Sequence, residues 1–264
     1  MTTATAHING VDITYSDSGG TGMAVLFSHG FMMNRSMFDQ QIAALTPRFR
    51  CVAWDERGFG ETTAVDSFTY WDSADDAVGL LDHLGIASAV FVGMSQGGFL
   101  SMRAAMAHPK RVHAMVLIDS AADADGPETI AGYHAMLAAM TGPDEPTFDA
   151  VAAGVAQLIL GNQALADAWI PKWKARRASH DLNVPGQTLL SRDDVTHRLG
   201  EITCPVLIIH GSADQAIELE RAQAVASAVP HCRGVVVIDG GSHASNMTHP
   251  QQVNDALLLF LDSL

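Results

Sequence analysis

The 264-residue sequence is short of several features that mark whole protein classes. It has three cysteines, Cys51, Cys204 and Cys232, scattered without C-x-x-C spacing. An odd, dispersed set argues against a disulfide framework or a cysteine-built metal site, and suits reduced thiols in a cytoplasm. Cations are scarce: Lys and Arg total 15 against 29 Asp and Glu, a formal net charge of −14. Such a chain repels nucleic acid and anionic membranes, because it has no basic patch with which to displace their counterions. The one local basic cluster, Lys172, Lys174, Arg176 and Arg177, reads as a solvated helix face. No apolar run approaches the roughly 18 residues needed to span a bilayer. The opening residues, Met1 to Ala6, carry neither a basic stretch nor an apolar core, so no secretory leader is expected. Repeats and low-complexity tracts are missing too.

What remains is an ordinary globular balance, 48% hydrophobic and 17% charged, at a length suited to one well-buried α/β domain. Asn9-Gly10 between short apolar-rich segments predicts a tight hairpin. Short apolar strands then alternate with helices. Strands are expected at Val25–Phe27, Cys51–Trp54, Ala89–Val92 and Val112–Ile118. Helices are expected over Ser36–Leu45, Trp71–Leu84 and Gln96–His108. Ser73 or Asp72 would cap the second helix and Gly85 would stop it. Fully apolar strands alternating with helices imply a parallel sheet covered on both faces. From Asp123 to Gly200 the strands stop, and Ala-rich helical sequence takes over. The alternation resumes with Val206–Ile209, a helix over Glu218–Val229, Val235–Ile238 and a last helix over Pro250–Leu261. The expected organisation is an α/β core in two parts, 1–122 and 201–264, with a helical insertion, 123–200, placed as a cap over the strand ends where ligands bind in open sheets.

The strongest chemical signal is Gly93-Met94-Ser95-Gln96-Gly97-Gly98, a G-x-S-x-G pattern between a buried strand and a helix. In another setting it would be an ordinary glycine-rich turn. Here the turn thrusts the Ser95 hydroxyl above the sheet and sets it at a helix N-terminus, where negative charge is favoured. A serine hydroxyl needs a base, and the base an orienting acid. Of 12 histidines, His243 is the candidate base, in the Gly-rich loop Asp239–His243 between the last strand and the last helix. His249 competes, but it opens a helix beside Pro250. For the acid, Asp214 in the loop after Val206–Ile209 is favoured over Asp119, which follows Val112–Ile118 at a similar position.

With these residues in place, the chain resembles the α/β-hydrolase family from about Ile8 to Leu261. The order Ser95, Asp214, His243 matches the family's nucleophile–acid–histidine order. His29-Gly30-Phe31 is similar to its HG turn, and Asp55-Glu56-Arg57-Gly58-Phe59-Gly60 to its D-x-R-G-x-G loop. The resemblance implies a mostly parallel central sheet flanked by helices, with the cap inserted after the fourth strand of the alternating series. It implies an oxyanion hole from the backbone N–H groups of Phe31 and Gln96. It also implies structural roles for His29 and for the Asp55–Gly60 loop, with Arg57 tying neighbouring loops together. Haloalkane dehalogenases and epoxide hydrolases of the family carry aspartate at the nucleophile position, so Ser95 argues against both. Many enol-lactonase and perhydrolase relatives have methionine or leucine where this chain has Gln96, a departure that weakens placement in either branch.

The expected activity is hydrolysis of a carboxylic ester or lactone through an acyl-enzyme on Ser95, with no metal and no organic cofactor. Met32, Met33 and Met94 flank the oxyanion groups, and Met136, Met140, Phe148, Leu158, Trp169 and Trp173 lie in the expected cap. Of these, Met32, Met94, Met136, Trp169 and Trp173 are the candidate pocket residues for an uncharged, largely apolar small-molecule substrate. Other functions stay open: carbon–carbon bond hydrolysis of a diketone and a small-molecule receptor on the same fold first, with hydroxynitrile lyase and cofactor-free peroxidation behind them.

Overall fold

A computed structural model describes residues 1–64, 66–177 and 182–264. Its centre is an eight-stranded sheet in the order β1-β2-β4-β3-β5-β6-β7-β8. Strands β1 (Thr2–Ile8) and β2 (Val11–Asp17) form the expected hairpin. Its two turn residues, Asn9 and Gly10, both have positive φ, 47° and 81°, the conformation that matches strand twist in a two-residue loop. From β2 the sheet passes, still antiparallel, to β4 (Arg50–Trp54). The remaining pairings, through β3 (Ala24–Ser28), β5 (Ala89–Met94), β6 (Val112–Ile118), β7 (Val206–Gly211) and β8 (Cys232–Ile238), are parallel. Every residue of β3, β5 and β7 is buried, which is why these strands read as apolar runs. Among the described residues strand β8 is paired only with β7, and its Val236 and Val237 stay partly exposed.

Helices α1 (Asp39–Leu45), α2 (Tyr70–His83), α3 (Gln96–Ala107), α8 (Leu219–Ala228) and α10 (Pro250–Leu261) accompany the sheet. Three local expectations change. The expected Ser36–Leu45 helix divides into a 3-10 turn, Arg35–Phe38, and α1. The cap of α2 is Thr69, not Ser73 or Asp72: its hydroxyl accepts from the Asp72 amide, and the Asp72 carboxylate accepts from the Thr69 amide at 2.7 Å. Ser73 is instead buried within the helix. A single further turn, α9 (Ser245–Thr248), follows His243 and carries no periodic signal of its own. Gly85 ends α2 with φ 66°, as expected.

Between β6 and β7 the chain runs through α4 (Pro127–Thr141), α5 (Glu145–Ile159), α6 (Gln163–Arg177) and α7 (Asn183–Leu190). Residues 178–181 of the expected insertion lie outside the described residues. The basic cluster on α6 is more than a solvated face. Lys172 sits 4.0 Å above the Trp169 ring, and Arg177 5.0 Å from the Phe148 ring while donating to the Gly142 carbonyl. No helix among the described residues is long and apolar enough to cross a membrane.

Candidate active site

The carboxyl ends of β5, β6, β7 and β8 converge, and the candidate residues sit on the loops that leave them. Between β5 and α3 the backbone folds back so tightly that Ser95 takes φ 51° and ψ −113°. That strain costs of order 1–3 kcal/mol and persists only because the surroundings enforce it. The flanking glycines are steric requirements. A Cβ on Gly93 would lie 2.1 Å from the Gly97 carbonyl oxygen, and one on Gly97 would lie 2.0 Å from the Ser28 carbonyl oxygen. Ser95 is tied down by its own N–H, which donates to Ile118 O at 2.9 Å, and by its carbonyl, which accepts from the Ser120 hydroxyl at 2.8 Å.

The structure brings Ser95, His243 and Asp214 together. Ser95 Oγ lies 3.1 Å from His243 Nε2, and His243 Nδ1 lies 2.8 Å from Asp214 Oδ2. A carboxylate can only accept, so Nδ1 carries the ring proton and Nε2 is left to accept the Ser95 O–H. Asp214 is steadied in turn by the amides of Ala216 and Ile217, which donate to its Oδ1 at 2.8 and 3.0 Å. Burial pushes the His243 imidazole down, but the Asp214 charge and hydrogen bond, with a smaller contribution from Asp119, outweigh it and leave its pKa above 6.5. Burial likewise works to raise Asp214, and the neighbouring His243 and three hydrogen bonds hold it below 3.8.

Asp119, the rival acid, does not touch the imidazole through a hydrogen bond. Its Oδ1 accepts from Gly211 N at 2.7 Å and its Oδ2 from Ser245 N at 3.0 Å. It therefore joins the loop that bears Asp214 to the loop that bears His243. Desolvation, then the like charge of Asp214, raise its pKa to about 7. His210 completes this buried group and donates from Nε2 to Ile217 O at 2.9 Å. Asp119, His210 and Asp214 place ligand-type atoms within 4.8 Å of one another. All four carboxylate oxygens already accept hydrogen bonds, so a cation there would have to displace the loop contacts.

The two candidate oxyanion donors flank the serine. Gln96 opens α3, where an N–H has no intrahelical acceptor. The Gly30–Phe31 segment runs against the nucleophile: a Cβ on Gly30 would lie 3.6 Å from Ser95 Cβ and 2.6 Å from Met94 Sδ. His29 holds this segment. Its Nδ1–H donates to Gly30 O at 2.8 Å and its Nε2 accepts from Glu56 N at 3.0 Å. Burial lowers the His29 pKa to about 4, which keeps the ring neutral and the pattern intact. Arg57 pairs with Asp76 on α2 and donates to Asn9 O at 3.2 Å, which links three segments.

A tight cavity of ≈ 40 Å³ adjoins Ser95 and His243. Met32, Met33, Met94, Met136 and Leu158 line it. Trp169 and Trp173 do not. They line a separate, wider cleft of ≈ 580 Å³ that borders the cavity at Met32 and Met33. These two tryptophans therefore border the neighbouring cleft and not the cavity at Ser95, and Met140 and Phe148 are buried on α4 and α5. On the far side the cavity shares Tyr133, Met136 and Leu158 with a groove of ≈ 750 Å³.

The sequence had signalled no charge in this wall, yet Arg192, Asp125 and Tyr133 are part of it. Arg192 Nη1 donates to Asp125 Oδ2 at 2.7 Å, and Arg221 Nη1 to Asp125 Oδ1 at 3.0 Å. These residues belong to no motif, and only the packing of α4, α7 and α8 brings them together.

The fold and this geometry define a class, and comparison with known proteins names it. The chain belongs to the α/β-hydrolase family, whose model matches residues 24–250. It is 30% identical to a putative non-heme chloroperoxidase of Synechocystis sp. over 95% of both chains. It is 28% identical to 3-oxoadipate enol-lactonase 1 of Acinetobacter baylyi over 91% of this chain and 89% of that one. Among solved structures, a thermophilic esterase from Thermogutta terrifontis superposes with a TM-score of 0.86 at 26% identity, covering 100% of this chain and 99% of that one.

Proposed function

We propose that the protein is a serine hydrolase of small, largely apolar carboxylic esters or lactones, acting through an acyl-enzyme on Ser95. The observation that carries the reading is the Ser95–His243–Asp214 relay, 3.1 and 2.8 Å long, anchored on a strained elbow. Relatives described as an esterase and an enol-lactonase support the same reaction class.

In this reading Ser95 Oγ attacks the substrate carbonyl carbon while His243 Nε2 takes its proton. Asp214 fixes the ring tautomer and stabilises the imidazolium. The N–H groups of Phe31 and Gln96 receive the developing oxyanion, and a single such donor is worth roughly 2.7–4 kcal/mol in the transition state. His243 then protonates the leaving alkoxide. A water molecule, deprotonated by the same nitrogen, attacks the acyl carbon; the acyl–Oγ bond breaks, the acid is freed, and His243 returns the proton to Ser95 Oγ. Residues 123–200 act as a cap over a core formed by 1–122 and 201–264, with Met136 and Leu158 closing the cavity over Ser95. The tight methionine-lined cavity suits a short acyl group, with wider clefts on both sides for the rest of the substrate.

The test is steady-state hydrolysis of p-nitrophenyl esters of increasing chain length and of a small lactone series, wild type beside Ser95→Ala. Turnover of short esters that vanishes in the variant is expected. A wild type inert on every compound sinks the esterase reading and brings forward diketone cleavage or ligand sensing.

A further inference from the structure

The side chain of Gln96 takes no part in the reaction just described, yet both of its polar atoms are held. It is buried, as are Glu56 and Tyr70 beside it. Gln96 Nε2 donates to Glu56 Oε2 at 3.0 Å, and the Tyr70 hydroxyl donates to Gln96 Oε1 at 3.2 Å. Both ends of the amide are thereby held. Glu56 also reaches the other side of the site, because its backbone N–H donates to His29 Nε2 and His29 Nδ1–H donates to Gly30 O. The Gly30 carbonyl and the Phe31 N–H belong to one planar peptide unit, so a grip on that oxygen sets where that N–H points. One unbroken run of buried hydrogen bonds thus joins the residue that supplies one oxyanion donor to the peptide that supplies the other.

We infer that Tyr70, Gln96 and Glu56 form a positioning clamp that, through His29, holds the Gln96 and Phe31 N–H groups in register for the oxyanion. The inference rests on Ser95 being the nucleophile. The clamp asks of Glu56 only an acceptor toward Gln96. Its carboxyl has no cation partner, and its Oε1 has no hydrogen-bond partner among the described residues. A charge there would be buried with one neutral amide for support, near Asp55 and Asp76. Desolvation accordingly raises its pKa well above the usual carboxyl range. Packing alone does not call for this arrangement, since methionine at position 96 has a similar length and no polar atoms to satisfy.

The experiment measures the second-order rate at which a p-nitrophenyl alkylphosphonate labels Ser95, read by intact mass, with kcat and KM on a short ester and a thermal melt beside it. The phosphoryl oxygen occupies the oxyanion site, so labelling reports the site without knowledge of the natural substrate. Gln96→Met keeps the backbone N–H and removes both clamp bonds. It is expected to slow labelling and kcat by about 10–100-fold with KM within about threefold, less than the ~10²–10³ loss of a whole donor. Tyr70→Phe keeps the ring contact with Phe99 and should slow both by about 3–10-fold. Glu56→Leu should behave like Gln96→Met, and Glu56→Gln, which retains an acceptor toward Gln96, should restore the rate. Gln96→Met and Tyr70→Phe that melt like wild type and label within twofold of it overturn the clamp. If Gln96→Met does not fold, the Tyr70→Phe rate decides alone. A Glu56→Gln rate as low as that of Glu56→Leu also overturns it. Wild type that is not labelled at Ser95 refutes the nucleophile reading itself, and the clamp falls with it.

Discussion

Two aspartates lie behind His243, and exchanging each for asparagine should have very different consequences. In Asp214→Asn the side chain can present its NH₂ to His243 Nδ1, which now sits 2.8 Å from a carboxylate oxygen. The ring then keeps its proton on Nε2 and offers Ser95 a donor in place of an acceptor. A wrong tautomer of this kind costs about 10⁴ in kcat in a serine protease triad, which corresponds to roughly 5.5 kcal/mol of barrier. Asp119→Asn leaves the imidazole contact alone. It turns one of two accepting oxygens into a donor, so either the Gly211 or the Ser245 N–H loses its partner. One buried unmade hydrogen bond costs about 1–3 kcal/mol, and here it falls on loop stability. Expected, then, are a loss of about 10⁴ for Asp214→Asn at nearly unchanged melting temperature, and a loss of about tenfold or less for Asp119→Asn with a clear drop in melting temperature. The assay is kcat on the best p-nitrophenyl ester, with a thermal melt of each variant. The reverse order of kinetic losses would make Asp119 the orienting acid and refute the reasoning.

Because Asp214 and Asp119 lift His243 above 6.5, and the ring must be neutral to accept the serine proton, kcat/KM should fall as pH drops through a midpoint above 6.5. In Asp119→Asn that midpoint should move down, since one of the charges that raises it is gone; a pH–rate profile checks both. Asp119 prefers its proton in the fold up to about pH 7, against 3.8 unfolded, so it makes stability fall as pH rises between those values. Melts at pH 5 and pH 8 should therefore differ less in Asp119→Asn than in wild type, and an equal difference contradicts the assignment. Gly93→Ala drives a Cβ to 2.1 Å from backbone and should abolish soluble expression or strongly lower the melting temperature. Gly132→Ala, mid-helix with nothing within 4 Å of its added methyl, should stabilise by about 0.5–1 kcal/mol. Met136→Ala enlarges the cavity wall and should shift the preferred p-nitrophenyl ester to a longer acyl chain.

The sequence discloses most where chemistry is fixed by neighbours along the chain. The elbow is legible because a turn that tight tolerates only glycine at 93 and 97, and the hairpin because Asn9-Gly10 is a turn by itself. The buried strands are legible because both faces of β3, β5 and β7 are covered. What depends on how distant helices pack is not legible. Which way Trp169 and Trp173 face is settled by the seating of α6, and Arg192 meets Asp125 across 67 positions of sequence. Asp119 and Asp214 are equivalent in pattern, each following a parallel strand; only the loop geometry shows one against the imidazole and the other beneath both loops. The Glu56–Gln96–Tyr70 contacts are of the same kind, and an unexpected glutamine after the serine was their only trace.

The central claim is a covalent acyl intermediate on Ser95. Rapid acid quench of the wild-type protein during turnover of a short p-nitrophenyl ester, followed by intact and peptide mass spectrometry, tests it directly. One acyl group on the peptide that contains Ser95, accumulating in wild type and missing from Ser95→Ala, is the expected result. Turnover with an acyl group on another residue, or undiminished turnover in Ser95→Ala, contradicts the account.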